Sequence, residues 1–210
     1  MARANQALQT FEKYKVICDE VIATLNEFEF ENIATLESVI KAIQRAELAM
    51  RVATEVEGYI TELGDEGRLL ELQLRELSEN IEKEEKLILK DYYKEPKNVE
   101  EIYNKIIDLS RDELLEPRIV AKLLGYDTDT PLEDTEVYPR GYRLLNKIPK
   151  MPSTIIENMV SAFGSFKDII RASIEELDDV EGIGEIRAKN IKRGLTRMQE
   201  QFLYETRFYR

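Results

Sequence analysis

Apolar residues return every third or fourth position through most of the first ninety residues. Phe11, Tyr14, Cys18, Val21, Leu25 and Phe28 form one such stripe; Leu36, Val39, Ile43, Ala46, Met50 and Ala53 form a second. A third runs through Leu70, Leu74, Leu77 and Ile81 and resumes at Ile88. This spacing predicts three long helices within residues 5–94, each turning one apolar face to a neighbour as in up-down bundles. Thr35 is placed to cap the second helix, and Gly64-Asp65-Glu66-Gly67 breaks the chain before the third. The charged run from Glu79 to Lys86 reads as a solvated helix face rather than an acidic binding site.

Beyond Glu95-Pro96 the elements shorten. Asn98 to Leu109 predicts a helix opening on something close to a capping box, Asn98-Val99-Glu100-Glu101, and another short helix ends at Leu124 before Gly125. Residues 126–139 are polar and helix-poor and predict a linker. Their acids lack the turn glycine and terminal Glu of an EF-hand. The expected organisation is all-α: a spine over 1–125, a linker over 126–139 and a smaller helical domain over 140–210.

Composition narrows the chemistry. With no His among 210 residues, no Ser-His-Asp or Cys-His nucleophile and no His-ligated metal is available. The lone cysteine, Cys18, sits on a helix stripe and is expected to be a buried small hydrophobe; the cysteine count fits a reducing cytoplasm. No run of eighteen apolar residues and no signal-peptide core is present, so neither membrane nor export is expected.

A net charge of −12 argues against a nucleic-acid partner only if it is evenly spread. It is not. Residues 140–210 hold 13 basic against 10 acidic residues, or +3, leaving −15 to residues 1–139. Between Glu185 and Glu200 stand Arg187, Lys189, Lys192, Arg193 and Arg197 with no acid among them.

That cluster follows Leu177-Asp178-Asp179-Val180-Glu181-Gly182-Ile183-Gly184-Glu185-Ile186-Arg187-Ala188. A short helix capped by Ser173 is expected to end near Val180, turn through Gly-Ile-Gly and restart at once. Gly182 and Gly184 permit a tight turn, and Ile183 is expected to plug it into the helices beneath. The turn then offers backbone N–H groups at a helix N-terminus, a site that favours phosphate, with Arg187, Lys189, Lys192 and Arg193 within reach. Such contacts read the DNA backbone and not the bases.

The pattern Leu-x-x-Val-x-Gly-Ile-Gly-x-x-x-Ala-x-x-Ile resembles the helix-hairpin-helix motif of DNA-binding proteins. These motifs pair, and a degenerate copy stands upstream: Leu145-Asn146-Lys147-Ile148-Pro149-Lys150-Met151-Pro152, then a helix from Ser153 to Phe163. Prolines replace the glycines there, so Lys147 and Lys150 are expected to add electrostatic attraction to a mainly structural copy. Phe163-Gly164-Ser165-Phe166 joins the two.

Over essentially the whole chain, Ala4 to Thr10, Glu62 to Leu69 and Pro139-Arg140-Gly141-Tyr142-Arg143, in that order, resemble the DisA family. The resemblance implies a helical spine followed by a helix-hairpin-helix domain that binds branched DNA. It also implies an N-terminal diadenylate cyclase domain that condenses two ATP, with a divalent metal, into cyclic di-AMP and assembles as an octamer. The cyclase motifs, an Asp-Gly-Ala and an Arg-His-Arg, are absent here. The expectation is therefore a piece beginning after the catalytic domain, with no catalytic residue, metal ligand or cofactor of its own. DNA is the expected partner, with the cyclase domain and self-association as further ones. The competing reading is a structural or oligomerising scaffold that binds no DNA. Tyr92, Tyr93, Tyr204 and Tyr209 could stack on bases, but aromatics at helical spacing more often pack.

Overall fold

In the computed structural model, residues 2–95 and 98–208 are described, the last seven of them by backbone alone. Eleven α-helices are assigned among them and no strand, apart from one isolated antiparallel bridge between Thr35 and Glu136. The chain divides into two compact units: residues 1–25 with 35–136, and residues 26–34 with 137–210.

The first unit is built on three long helices, α1 (Ala2–Glu31), α2 (Leu36–Leu63) and α3 (Arg68–Tyr92). α1 contributes to both units, its residues from Asn26 onward belonging with the second. Thr35 caps α2 in a reciprocal box with Ser38, and a 3-10 turn, Gly64–Gly67, reverses the chain into α3. A side chain on Gly67 would meet the Ile60 carbonyl at 2.8 Å, so this reversal is glycine-dependent. Phe11, Cys18 and Leu25 of α1 are buried, with Leu36, Val39, Ile43, Ala46 and Ala53 of α2 and Leu74, Ile81 and Ile88 of α3; Met50 on the same α2 stripe is half-buried. Each large aliphatic side chain removed from water contributes about 1.5–3 kcal/mol. Burial pushes the Cys18 thiol up to about 12, consistent with an inert core residue.

Shorter helices complete this unit: α4 (Val99–Ile107), α5 (Arg111–Leu115) and α6 (Pro117–Leu123). Asn98 makes no side-chain cap; its amide donates to Glu95 Oε2 at 3.5 Å instead. The expected helix from 98 to 109 stops at Ile107, because Arg51 takes its terminal carbonyls: Nη2 donates to Ile106, Ile107 and Leu109 at 3.3, 3.2 and 2.8 Å. Ser110 then starts α5 with a capping box to Glu113.

The stretch after Gly125 is helix-free as expected, yet it is fastened down. The carbonyls of Thr135 and Leu132 accept from Leu36 and Glu37 at 2.8 and 3.2 Å, satisfying donors that the start of α2 would otherwise leave open. Tyr92 and Tyr93 are packing residues, 1% and 8% exposed. The Tyr204 side chain and Tyr209 lie outside the described residues.

The solvated-face expectation for Glu79 to Lys86 is corrected at one position. Glu85 is fully buried, and neither of its carboxylate oxygens has a hydrogen-bond partner. It stands between Ile81 and Ile88 on the buried stripe of α3. Burial, and then the Glu47 and Glu82 charges, hold its carboxyl well above the usual carboxylate range. Glu47, also buried, is raised by burial despite its 2.6 Å contact with Arg51.

The second unit comprises α7 (Tyr142–Leu145), α8 (Ser153–Phe163), α9 (Phe166–Arg171), α10 (Ile174–Asp178) and α11 (Glu185–Phe208), with residues 26–34 packed among them. Phe30 meets Phe166 edge to face at 5.4 Å. Arg143 has no exposed surface; its guanidinium donates to Asn26 and to Glu29, which is buried as well. A buried cation is tolerated only with such partners.

Candidate nucleic-acid interface

Two helix-turn-helix units lie in tandem, α7 to α8 and α10 to α11, joined by α9. Ser173 opens α10 with the expected capping box to Glu176, and the chain turns after Asp179. The Ile183 N–H closes the turn onto the Val180 carbonyl at 2.9 Å, and the Ile183 side chain is buried. Gly182 is left-handed, with φ of 81°, while Gly184 is not. The first bond of α11 runs from the Ala188 N–H to the Gly184 carbonyl at 2.9 Å. The N–H groups of Glu185, Ile186 and Arg187 therefore precede the helical ladder and point out of its N-terminus.

The upstream copy repeats this geometry residue for residue. Lys150 stands in the place of Gly182 and takes the same left-handed backbone, with φ of 61°. Pro152 stands in the place of Gly184, and its carbonyl accepts from Ile155 and Ile156 at 3.0 and 3.2 Å. The degenerate copy is thus a true hairpin in shape, although its prolines remove two donors.

Each turn is braced by the other copy's second helix. Gly182 approaches α8 so closely that a Cβ would meet Ile155 Cδ1 at 2.9 Å, and the Asn158 amide donates to the Glu181 carbonyl at 2.8 Å. In return Ile148 lies on α11 at Gly194, where a Cβ would meet Ile148 Cγ2 at 2.9 Å. Asn158 and Gly194 are supports that the motif pattern did not single out, since neither lies within a turn. Between the turns opens a cleft of about 760 Å³, lined from both copies.

The expected cations divide by position. Lys150 and Arg193 are exposed. Lys147 is exposed too, with Nζ 3.4 Å from Asn26 Oδ1. Lys189 pairs with Glu185 at 2.5 Å on the surface, which lowers the Glu185 carboxyl below its ordinary value. Arg187 folds back, its guanidinium donating to the Gly182 carbonyl. Lys192 turns inward and donates to the carbonyls of Ile170 and Ala172 at 2.7 and 2.6 Å, closing the C-terminus of α9. Arg197 is exposed and lies four residues beyond Arg193 on the same face of α11.

Among the described residues, no helix is long and apolar enough to cross a membrane, and no three acidic or cysteine side chains converge as metal ligands.

Comparison with known proteins matches this architecture in two parts. Residues 1–133 match the DisA bacterial checkpoint controller linker region, and residues 142–197 match the SAM-like helix-hairpin-helix tandem. The DNA integrity scanning protein DisA of Clostridium botulinum (strain Langeland / NCTC 10281 / Type F) is 51% identical over 205 residues, which is 98% of this chain and 58% of that protein. DisA of Clostridium kluyveri is 46% identical over 208 residues, 99% of this chain and 58% of the relative. DisA of Clostridium perfringens is 50% identical over 201 residues, 96% and 56% respectively. The chain thus spans under three fifths of the length of these curated relatives. With a linker-region match over more than half its length and a hairpin tandem behind it, the chain belongs to the DisA family.

Proposed function

We propose that the second unit binds DNA through its phosphate backbone, without reading base sequence, and that branched or duplex DNA is its partner. The observation that carries this is the pairing of two hairpin turns, each leading into a helix N-terminus, across one cleft. The backbone N–H groups of Gly182 and of Gly184 to Arg187 meet phosphate oxygens, while Ile183, whose own N–H closes the turn, seats it. Lys147, Lys150, Lys189 and Arg193 supply the counter-charge, while Arg187 and Lys192 act mainly by holding the second hairpin and α9 in shape. Within a longer cytoplasmic DisA-like protein, this unit would be the DNA-sensing part beside a domain that makes cyclic di-AMP from two ATP. No residue of the present chain is assigned to that chemistry.

Binding of a four-way junction, a duplex and a single strand, each at two salt concentrations, tests the proposal. Affinity for the double-stranded probes should fall steeply with salt, because each phosphate neutralised releases counterion. Gly182→Val with Gly184→Val should abolish most of it. Undiminished binding by that variant would refute the hairpin assignment.

The second reading, a self-associating scaffold, draws on Leu69 and Leu72, which are 81% and 56% exposed at the start of α3. Sedimentation of the chain across a concentration series decides it, a persistent monomer counting against association.

A further inference from the structure

Ile186 is 80% exposed on the first turn of α11, beside the N–H groups that would meet phosphate. It forms one wall of the cleft between the hairpins, with Ile148, Met151 and Ile191 as further apolar lining. Asn190, four residues on and on the same face of α11, adds an exposed carboxamide, and Lys150 stands at the opposite lip. Continuing along that face, Arg193 and Arg197 follow at helical spacing, both exposed. The stripe Ile186, Asn190, Arg193, Arg197 thus passes from apolar to amide to cationic.

We propose that this cleft receives an unstacked nucleobase of the bound DNA, so that the tandem prefers DNA containing an unpaired base over a continuous duplex. The inference rests on the DNA-binding reading above. A nucleobase has two apolar faces and a polar edge, and the cleft has the matching parts. Ile186 and Met151 flank the faces, and the Asn190 carboxamide can both donate to and accept from the edge. A volume of about 760 Å³ admits a base with its sugar. Lys150 on one side, and Arg193 with Arg197 along α11, carry charge opposite to the phosphates that flank such a nucleotide. An intact duplex cannot fill the cleft without unpairing and unstacking, a cost that is least for a base already unpaired. Selection is therefore for structure and not for sequence, apart from a bias toward adenine, whose edge an Asn carboxamide matches in two hydrogen bonds.

The test uses the 210-residue chain and two probes, a continuous duplex and the same duplex carrying one bulged 2-aminopurine. The chain should bind the bulged probe roughly tenfold more tightly, the fold-change expected from removing about 55 Å² of apolar surface from water, and the 2-aminopurine emission should change on binding. Ile186→Ala and Asn190→Ala should each erase most of that preference and leave duplex affinity within about twofold. Ile186 is solvent-facing, so its variant should retain the wild-type helical circular dichroism. Equal binding of both probes by the wild-type chain, or a full preference retained by Ile186→Ala, would overturn the cleft assignment while leaving backbone binding intact. Absence of binding to either probe at low salt would overturn both readings.

Discussion

Lys150 and Gly182 occupy the same position in the two hairpin turns and share a left-handed backbone, with φ of 61° and 81°. Glycine reaches that region without strain, whereas a side chain with a Cβ bears about 1–2 kcal/mol. Gly182→Ala should therefore destabilise the second unit by about 1–2 kcal/mol. Most of this comes from the backbone, since the Ile155 Cδ1 it approaches is the movable end of a side chain. Lys150→Gly should stabilise by under about 1 kcal/mol, because the relief is partly offset by glycine's greater freedom in the unfolded chain. It should also weaken DNA binding through the lost charge. Urea denaturation of the three proteins, with binding measured at one salt concentration, checks both signs.

Lys192 and Arg193 are adjacent in sequence but face different tasks. Lys192→Met should cost about 1–3 kcal/mol of stability by leaving the Ile170 and Ala172 carbonyls without their donor, and should leave the salt slope of DNA binding unchanged. Arg193→Met should spare stability and reduce that slope by roughly one. A salt titration of both variants separates the roles, and a reduced slope for Lys192→Met would contradict its assignment.

Removing Arg143 strands a buried carboxylate. Arg143→Met should destabilise by about 3–5 kcal/mol, and Glu29→Gln by less, since the neutral amide still accepts from the guanidinium. Paired with Glu29→Leu, the Arg143→Met variant should recover much of the loss, because the isolated charge is then gone. A double-mutant denaturation cycle measures the recovery.

Glu85 makes stability depend on pH. Its folded-state carboxyl holds its proton more tightly than the unfolded chain, whose ordinary value is 4.5. The associated stabilisation is complete below that value and is lost as pH rises through the folded-state range. Glu85→Gln should remove this component, so its advantage over wild type should grow from pH 5 to pH 8. A constant difference across that interval would show that Glu85 does not titrate between the two states.

The long helices and the second hairpin were legible because each rests on local repetition: three-four spacing for the stripes, and two glycines around one isoleucine for the turn. Glu85 was hidden by composition, as one acid in a charged run, although the seven-residue step from Ile81 to Ile88 marks its place on the buried face. The inward turn of Lys192 was unreadable for another reason. Its acceptors are backbone carbonyls twenty or more residues away, and those carry no residue-type signal. The shape of the first hairpin was masked by Pro149, Lys150 and Pro152, since a lysine at positive φ violates the preference that reveals such turns. Arg51, which ends α4 early, acts from 55 to 58 residues upstream.

The pairing of Glu29 with Arg143 bridges a sequence separation of 114 residues. The second unit therefore cannot complete its core from the last seventy residues alone. A large loop must close first, and closure is slow and entropically costly until residues 35–136 have condensed by their own local contacts. As synthesis proceeds, the hairpins need a segment made more than a hundred residues earlier. The chain order thus favours one sequence of events: residues 35–136 can condense on local contacts, whereas the hairpin unit becomes native only once residues 26–34 have joined it.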